Sequence, residues 1–185
     1  MNSVIIHYQE IALKGRNRPW FVERLVNNLR DVTRDLDVQQ VRPLMGRIEL
    51  TLGPECDWSA VRERVGRVFG IANYAKSGRT KRDVDEIAAM ILGDLDREER
   101  ITTARVERFR VRASRADKSY YLTSPELERE VGGRVKQSTG WTVDLVNPDL
   151  EIRVEVLPEC VFYALNKETG QGGLPTGTSG AAMCL

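Results

Sequence analysis

The chain has 185 residues, 41% of them hydrophobic and 30% charged, with a formal net charge of +1. That composition is ordinary for a soluble globular protein of one or two domains. It excludes a basic tail that binds nucleic acid by bulk charge, so any such binding must come from local patches. Cys56, Cys160 and Cys184 are far apart and odd in number, and His7 is the only histidine. Neither a zinc site, a disulfide framework nor a catalytic triad is indicated. Cys56 and Cys160 read as buried free thiols. No apolar run is long enough to span a membrane, and Met1–His7 lacks the apolar core of a signal peptide, so a cytoplasmic location is the default expectation.

Ser3 to Tyr8 reads as a buried strand and Gln9 to Arg18 as a loop. A helix follows from about Pro19 to Arg34. Phe21, Val22, Leu25, Val26, Leu29 and Val32 make its apolar face, and proline suits a first helical turn. Val38–Leu44 and Arg47–Leu52 are strands joined by a Met45-Gly46 turn. Asp57 caps a helix through Val65, and Val68–Ala75 reads as a fourth strand. Strand, helix, strand, strand, helix, strand is the ferredoxin-like arrangement. Ser77–Arg82 reads as a boundary, with domains expected at residues 1–76 and 77–168. Asp83 caps a helix whose buried stripe includes Val84, Ile87, Ala88, Ile91, Leu92 and Leu95.

The run from Arg105 to Lys118 then carries six cations against Glu107 and Asp117, a local surplus of four positive charges. Phe109, Val111 and Ala113 alternate with Arg108, Arg110, Arg112 and Ser114, the period of a half-buried strand. Its wet face is either an ordinary solvated face with scattered ion pairs or a phosphate-contacting surface. Ser124 is expected to cap the next helix, with Pro125 in its first turn. Gly132-Gly133 inside that helix suggests close approach of a neighbouring backbone, and Gly140 ends it. Thr142–Val146, Leu150–Leu157 and Val161–Asn166 are three further strands. Gly170–Gly180 reads as a linker and lacks the lysine of a P-loop. Ala181–Leu185 resembles the opening of another buried strand, so residues 169–185 are expected to be a linker and the start of a missing domain. Lys14, Arg16 and Arg18 cluster ahead of the first long helix, where an anion could use backbone N–H groups as well as side chains.

Two stretches resemble a known family. RVRASRADKSYYLTSPELEREVGGRV and VDLVNPDLEIRVEVL resemble a THUMP domain, an RNA-binding module of tRNA-modifying enzymes. HYQEIALKGRNRPWF, Met45-Gly46-Arg47-Ile48 and GGLPTGTSG resemble the N-terminal part of tRNA 4-thiouridine synthases, although Gln9 stands where that family usually carries glycine. The resemblance implies an α+β chain with an N-terminal ferredoxin-like domain and a THUMP domain. It also implies binding of the tRNA acceptor stem and 3′ CCA end. RNA contacts are then expected from Lys14, Arg16, Arg18, Arg110, Arg112, Arg115, Lys118 and Lys136, with Asn166 and Lys167 nearby. Tyr120 and Tyr121 are either base-stacking residues or ordinary core and surface aromatics. ATP, Mg and the catalytic cysteine would belong to a pyrophosphatase-loop domain absent from this chain, so no catalysis is expected here. Cys184 does not match that cysteine. A homodimer and a cysteine desulfurase as sulfur donor are the further partners implied. Two other readings stand beside this one: a standalone RNA adapter that recruits a separate enzyme, and a protein-interaction module.

Overall fold

The computed structural model describes residues 1–99 and 106–178. Arg105, Cys184 and the apolar end from Ala181 lie outside the described residues. The chain forms two compact units. One comprises Asn2–Ala75 with the chain from Lys167 on, and the other Lys76–Asn166 with Met1.

In the first unit β1 (Ser3–His7) leads through two short 3-10 turns, Glu10–Leu13 and Gly15–Asn17, into α1 (Arg18–Thr33). The expected loop is therefore mostly helical turn. Gln9 takes a φ of −112°, which any residue adopts, so the glycine usual there is not needed. Strands β2 (Val38–Leu44) and β3 (Arg47–Leu52) follow, then α2 (Trp58–Gly66), whose Asp57 side chain accepts from the Ser59 amide. Strand order is β2-β3-β1-β4, with β1 and β2 both antiparallel to β3. This is the ferredoxin-like arrangement. Leu25, Val26 and Leu29 of α1 and Val61 and Val65 of α2 close the core over Val4, Ile6, Ile48 and Leu50.

Strand β4 runs Asn73–Thr80, five residues later than the pattern at Val68–Ala75 predicts. Its polar half, Ser77, Gly78 and Thr80, is buried. A Cβ at Gly78 would fall 2.1 Å from Cζ of Tyr163. Strand β4 pairs with Tyr163 and its neighbours on β8 through Ser77–Thr80, while Asn73 and Tyr74 pair with Thr169 and Glu168.

In the second unit α3 (Val84–Glu99) is capped by Asp83, which accepts from the Glu86 amide at 2.9 Å. Next come β5 (Arg108–Arg115), α4 (Ser124–Thr139), the short β6 (Thr142–Val143), β7 (Leu150–Val156) and β8 (Val161–Ala164). Strand order is β4-β8-β7-β5-β6, with β5 parallel to both β7 and β6. Phe109 and Val111 of β5, Leu127, Val131 and Val135 of α4, and Ile152, Val154 and Val156 of β7 share one core with Ile87 and Ile91 of α3.

The cap of α4 is Thr123 rather than Ser124. Its hydroxyl accepts from the Glu126 amide while Glu126 answers back, a capping box worth about 1 kcal/mol. Gly140 ends the helix at a φ of 76°. Gly132 and Gly133 do not mark a close backbone approach. A Cβ at Gly132 would meet Val111 Cγ2 at 3.6 Å, ordinary contact, and one at Gly133 would meet nothing within 4 Å. Each still costs the helix roughly 1 kcal/mol relative to alanine.

Of Gly170–Gly180, expected as a linker, the described part to Thr178 is folded onto the first unit. Glu168–Thr169 form β9. Gly170 and Gly172 donate to the carbonyls of Ala72 and Ile71 at 3.0 and 2.7 Å, Gly173 donates to Glu10 at 2.9 Å, and Pro175 is buried against Gly70.

Candidate nucleic-acid interface

The arginines of β5 are largely answered from within the second unit. Parallel register places Arg110 opposite Glu151. Arg110 Nε donates to Glu151 at 2.5 Å, its Nη1 donates to the Leu145 carbonyl at 2.9 Å, and Arg153 pairs with the other Glu151 oxygen. Burial pushes the Glu151 carboxyl up, but the Arg110 hydrogen bond and the charges of Arg153, Arg110 and Arg112 more than offset it and leave it below the ordinary range. Arg108 holds Asp149 at 2.8 Å and Asp144 at 3.6 Å. The Arg108 guanidinium, then the Arg108 amide, holds the Asp149 carboxyl low. The backbone amides of Asn147 and Val146, which donate to Asp144, do the same for its carboxyl.

Arg115 is part of the scaffold. Its Nη1 donates to the carbonyls of Leu122 at 2.8 Å and Tyr120 at 3.3 Å, fixing the turn that leads into α4. Tyr120 is buried and its hydroxyl donates to the Arg82 carbonyl at 3.0 Å, which removes it as a stacking surface. Tyr121 is 67% exposed beside it. Arg112, Lys118 and Lys136 are exposed, and none makes an ion pair among the described residues. Asn166, at the end of the second unit, is exposed too.

The first unit pairs several arginines with carboxylates, among them Arg42 with Glu49 and Arg64 with Asp35, but holds the cations at the head of α1 differently. Lys14 Nζ lies 5.3 Å from the centre of the Phe21 ring. The Arg18 guanidinium lies 5.6 Å from the Tyr8 ring and donates to the Tyr8 hydroxyl at 3.2 Å. Arg16 and Lys167 are exposed. Aromatic faces orient Lys14 and Arg18 without neutralising them. Trp20, 51% exposed and edge-on to Phe21 at 4.9 Å, stands beside them. The predicted residues thus fall in two groups. Lys14, Arg16, Arg18 and Lys167 belong to the first unit, and Arg110, Arg112, Arg115, Lys118, Lys136 and Asn166 to the second.

A groove of about 540 Å³ runs along α4 in the second unit, lined among others by Phe109, Val111, Glu128, Arg129, Gly132, Gly133, Lys136, Val143 and Leu145. Of the predicted residues it contains Lys136. Sequence reading missed Arg129 and Glu128, although 129, 132, 133 and 136 recur at helical spacing and share one face. Among the described residues no group of three or more His, Cys, Asp or Glu is placed to hold a metal ion, and no helix is long and apolar enough to cross a membrane.

Fold and site together define a two-unit α+β protein whose uncompensated cations leave charge for an anionic partner to neutralise. The chain belongs to the family that joins a ThiI ferredoxin-like domain, matched over residues 3–75, to a THUMP domain, matched over residues 81–164. It is 36% identical over its whole length to a protein of Alkaliphilus metalliredigens named "Probable tRNA sulfurtransferase", and covers 46% of that protein. Among solved structures it resembles PH1313 of Pyrococcus horikoshii, with a TM-score of 0.86 and 29% identity, over 96% of this chain and 58% of that one. It also resembles a 4-thiouridine synthetase solved with RNA and bound ATP, with a TM-score of 0.79 and 30% identity, over 96% of this chain and 44% of that one. The chain therefore spans about half the length of the relatives it matches.

Proposed function

We propose that this chain binds tRNA and presents its acceptor end for modification. The observation that carries the reading is the set of cations lacking carboxylate partners among the described residues (half-buried Lys14 and exposed Arg16, Lys118 and Lys136) in a chain of net charge +1. Such charge is stabilised by a polyanion, and phosphate contacts of this kind fix the position of an RNA without reading its sequence. The likeness to a synthetase solved with RNA supports the same reading. The 3′ CCA end is the part read by base contacts, since unpaired bases are the accessible ones in RNA. Transfer of sulfur to a uridine, with ATP and Mg and with sulfur from a cysteine desulfurase, lies with a further domain; the residues described here position the substrate.

Fluorescence anisotropy with whole tRNA, with and without its CCA end and at two salt concentrations, tests this. Loss of affinity on trimming, with strong salt dependence, is the expected result. Equal binding of trimmed and intact tRNA would remove acceptor-end recognition. Absence of binding would remove the tRNA reading and favour a protein-interaction module.

A further inference from the structure

We infer that residues 170–178 are a fixed spacer. Glu10, Arg24 and Asn28 are its positioning residues, and they hold the domain that follows the spacer at one place relative to RNA on the first unit. The inference rests on the tRNA-binding reading above. A stretch so rich in glycine is ordinarily a flexible linker. Here the path of the chain itself requires the glycines. Gly172, Gly173 and Gly177 adopt φ values of 68°, 70° and 84°, which disfavour any residue with a side chain. A Cβ at Gly170 would fall 2.2 Å from the Ile71 carbonyl oxygen, and one at Gly177 would fall 2.2 Å from the Arg24 guanidinium.

The body of the first unit grips this path by its backbone. Glu10 accepts from the Gly173 amide at 2.9 Å, Asn28 donates to the Thr176 carbonyl at 3.2 Å, and Arg24 donates to the Gly177 carbonyl at 3.4 Å. Contacts of this kind specify a route and leave the side chains along it open. Among residues 170–178 only Pro175 is buried. Apolar burial therefore returns little against the entropy of ordering a glycine-rich chain, and stability of the first unit does not by itself account for the docking. The anchoring elements also carry the cations. Glu10 opens the turn that Lys14 closes, and Arg24 and Asn28 stand on α1, which begins at Arg18. The point at which the chain leaves the first unit is thus tied to the two elements that offer charge to a phosphate backbone. A domain attached there stays close to its substrate instead of searching for it, which is what a short, stiff connection supplies.

The test uses the full chain and whole tRNA. Backbone amide relaxation by NMR is expected to give the spacer glycines of the native chain order parameters of about 0.85, as in rigid backbone. Glu10→Ala with Asn28→Ala is expected to lower them to below about 0.6 while leaving those of α1 and the affinity for tRNA unchanged. Glu10→Gln alone keeps an acceptor for Gly173 and is expected to leave them high. Thr176 is exposed, so a dye on Thr176→Cys, with Cys56→Ser and Cys184→Ser, reads the distance from the spacer to a second dye on the tRNA 3′ end. The distribution of energy transfer is expected to be narrow in that chain and about twice as broad once Glu10→Ala and Asn28→Ala are added. Mobile glycines in the native chain overturn the spacer while leaving tRNA binding intact. Unchanged breadth overturns the role of Glu10 and Asn28, and a fall in tRNA affinity on their removal assigns them to the RNA site instead. Rigid glycines in a chain that binds no tRNA overturn the tRNA reading, and the placing of a domain against RNA falls with it.

Discussion

Strand β5 of the second unit and the head of α1 in the first hold their cations in opposite ways. On β5 of the second unit, the arginines that dominate the sequence meet carboxylates one strand away: Arg110 meets Glu151, and Arg108 meets Asp149 and Asp144. At the head of α1 in the first unit, Lys14 and Arg18 rest on the rings of Phe21 and Tyr8 and keep their charge available. A ring quadrupole orients a cation without cancelling it, whereas a carboxylate does both. A dense row of arginines therefore need not be the surface that an anion feels. The shorter cluster, and the isolated lysines at the ends of elements, carry more free charge.

Substitutions can break this contrast or sharpen it. The largest effect on RNA is expected from Lys14→Ala with Arg16→Ala. Affinity for tRNA should fall about tenfold or more at low salt, and the slope of log K against log salt should shrink by about 1.8, the value for two lost phosphate contacts. An unchanged slope in an anisotropy titration would show that the first unit does not touch the backbone.

Removing an acid from the second unit is the next test. Glu151→Ala strips Arg110 and Arg153 of their shared partner. Both groups are about a third exposed or less, so the second unit should lose about 1–2 kcal/mol in denaturant unfolding. The freed arginines should raise tRNA affinity two- to threefold at low salt. A fall in affinity would mean that Glu151 itself serves the RNA.

A smaller and purely structural loss is expected at Arg115. Arg115→Lys cannot hold the Tyr120 and Leu122 carbonyls in the same fork, and should cost about 1 kcal/mol of stability with no change in salt slope. Lys118→Ala should do the reverse, lowering the slope by about one without changing stability.

The smallest effect is the response to acid. Asp117, Glu126, Asp144, Asp149 and Glu151 of the second unit are all held below their ordinary values. A carboxylate with a lowered folded pKa contributes stability that is complete above its unfolded value, near 4, and disappears as pH falls through the folded one. Melting of the second unit should be flat from pH 7 to about pH 5 and fall below about pH 4. Asp149→Asn should remove part of that fall.

Much of the fold was legible because local pattern and tertiary demand agree. Pro19 and the apolar spacing of α1, the Asp57 cap and the Met45-Gly46 turn each predict an element where one stands. Strand β4 was misplaced because its buried half, Ser77 to Thr80, is polar and small. Gly78 among them is required by the Tyr163 ring packed on it, a partner far along the chain. The same distance hid the state of the basic row. Glu151 and Asp149 are some forty residues from Arg110 and Arg108 in sequence, and only parallel pairing of β5 with β7 brings them together. The cations themselves were plain to see; which of them stay free depended on that pairing. The groove escaped because it needs α4 and the stretch around Leu145 at once, although the helical spacing of Arg129, the two glycines and Lys136 was there to be read.

The return of the chain to the first unit has a consequence for synthesis. Asn73 and Tyr74 pair with Thr169 and Glu168, so the two ends of the second unit's chain leave one ladder side by side. In genetic terms the second unit is an insertion within the first. On the ribosome the first unit lacks its last strand and the seal of Pro175 over Gly70 until everything from Lys76 to Asn166 has emerged. Its edge at β4 stays open for that interval, a template for wrong pairing. A chain spliced directly from Ala75 to Lys167 closes that edge at once, and should fold faster and aggregate less than residues 1–75 alone.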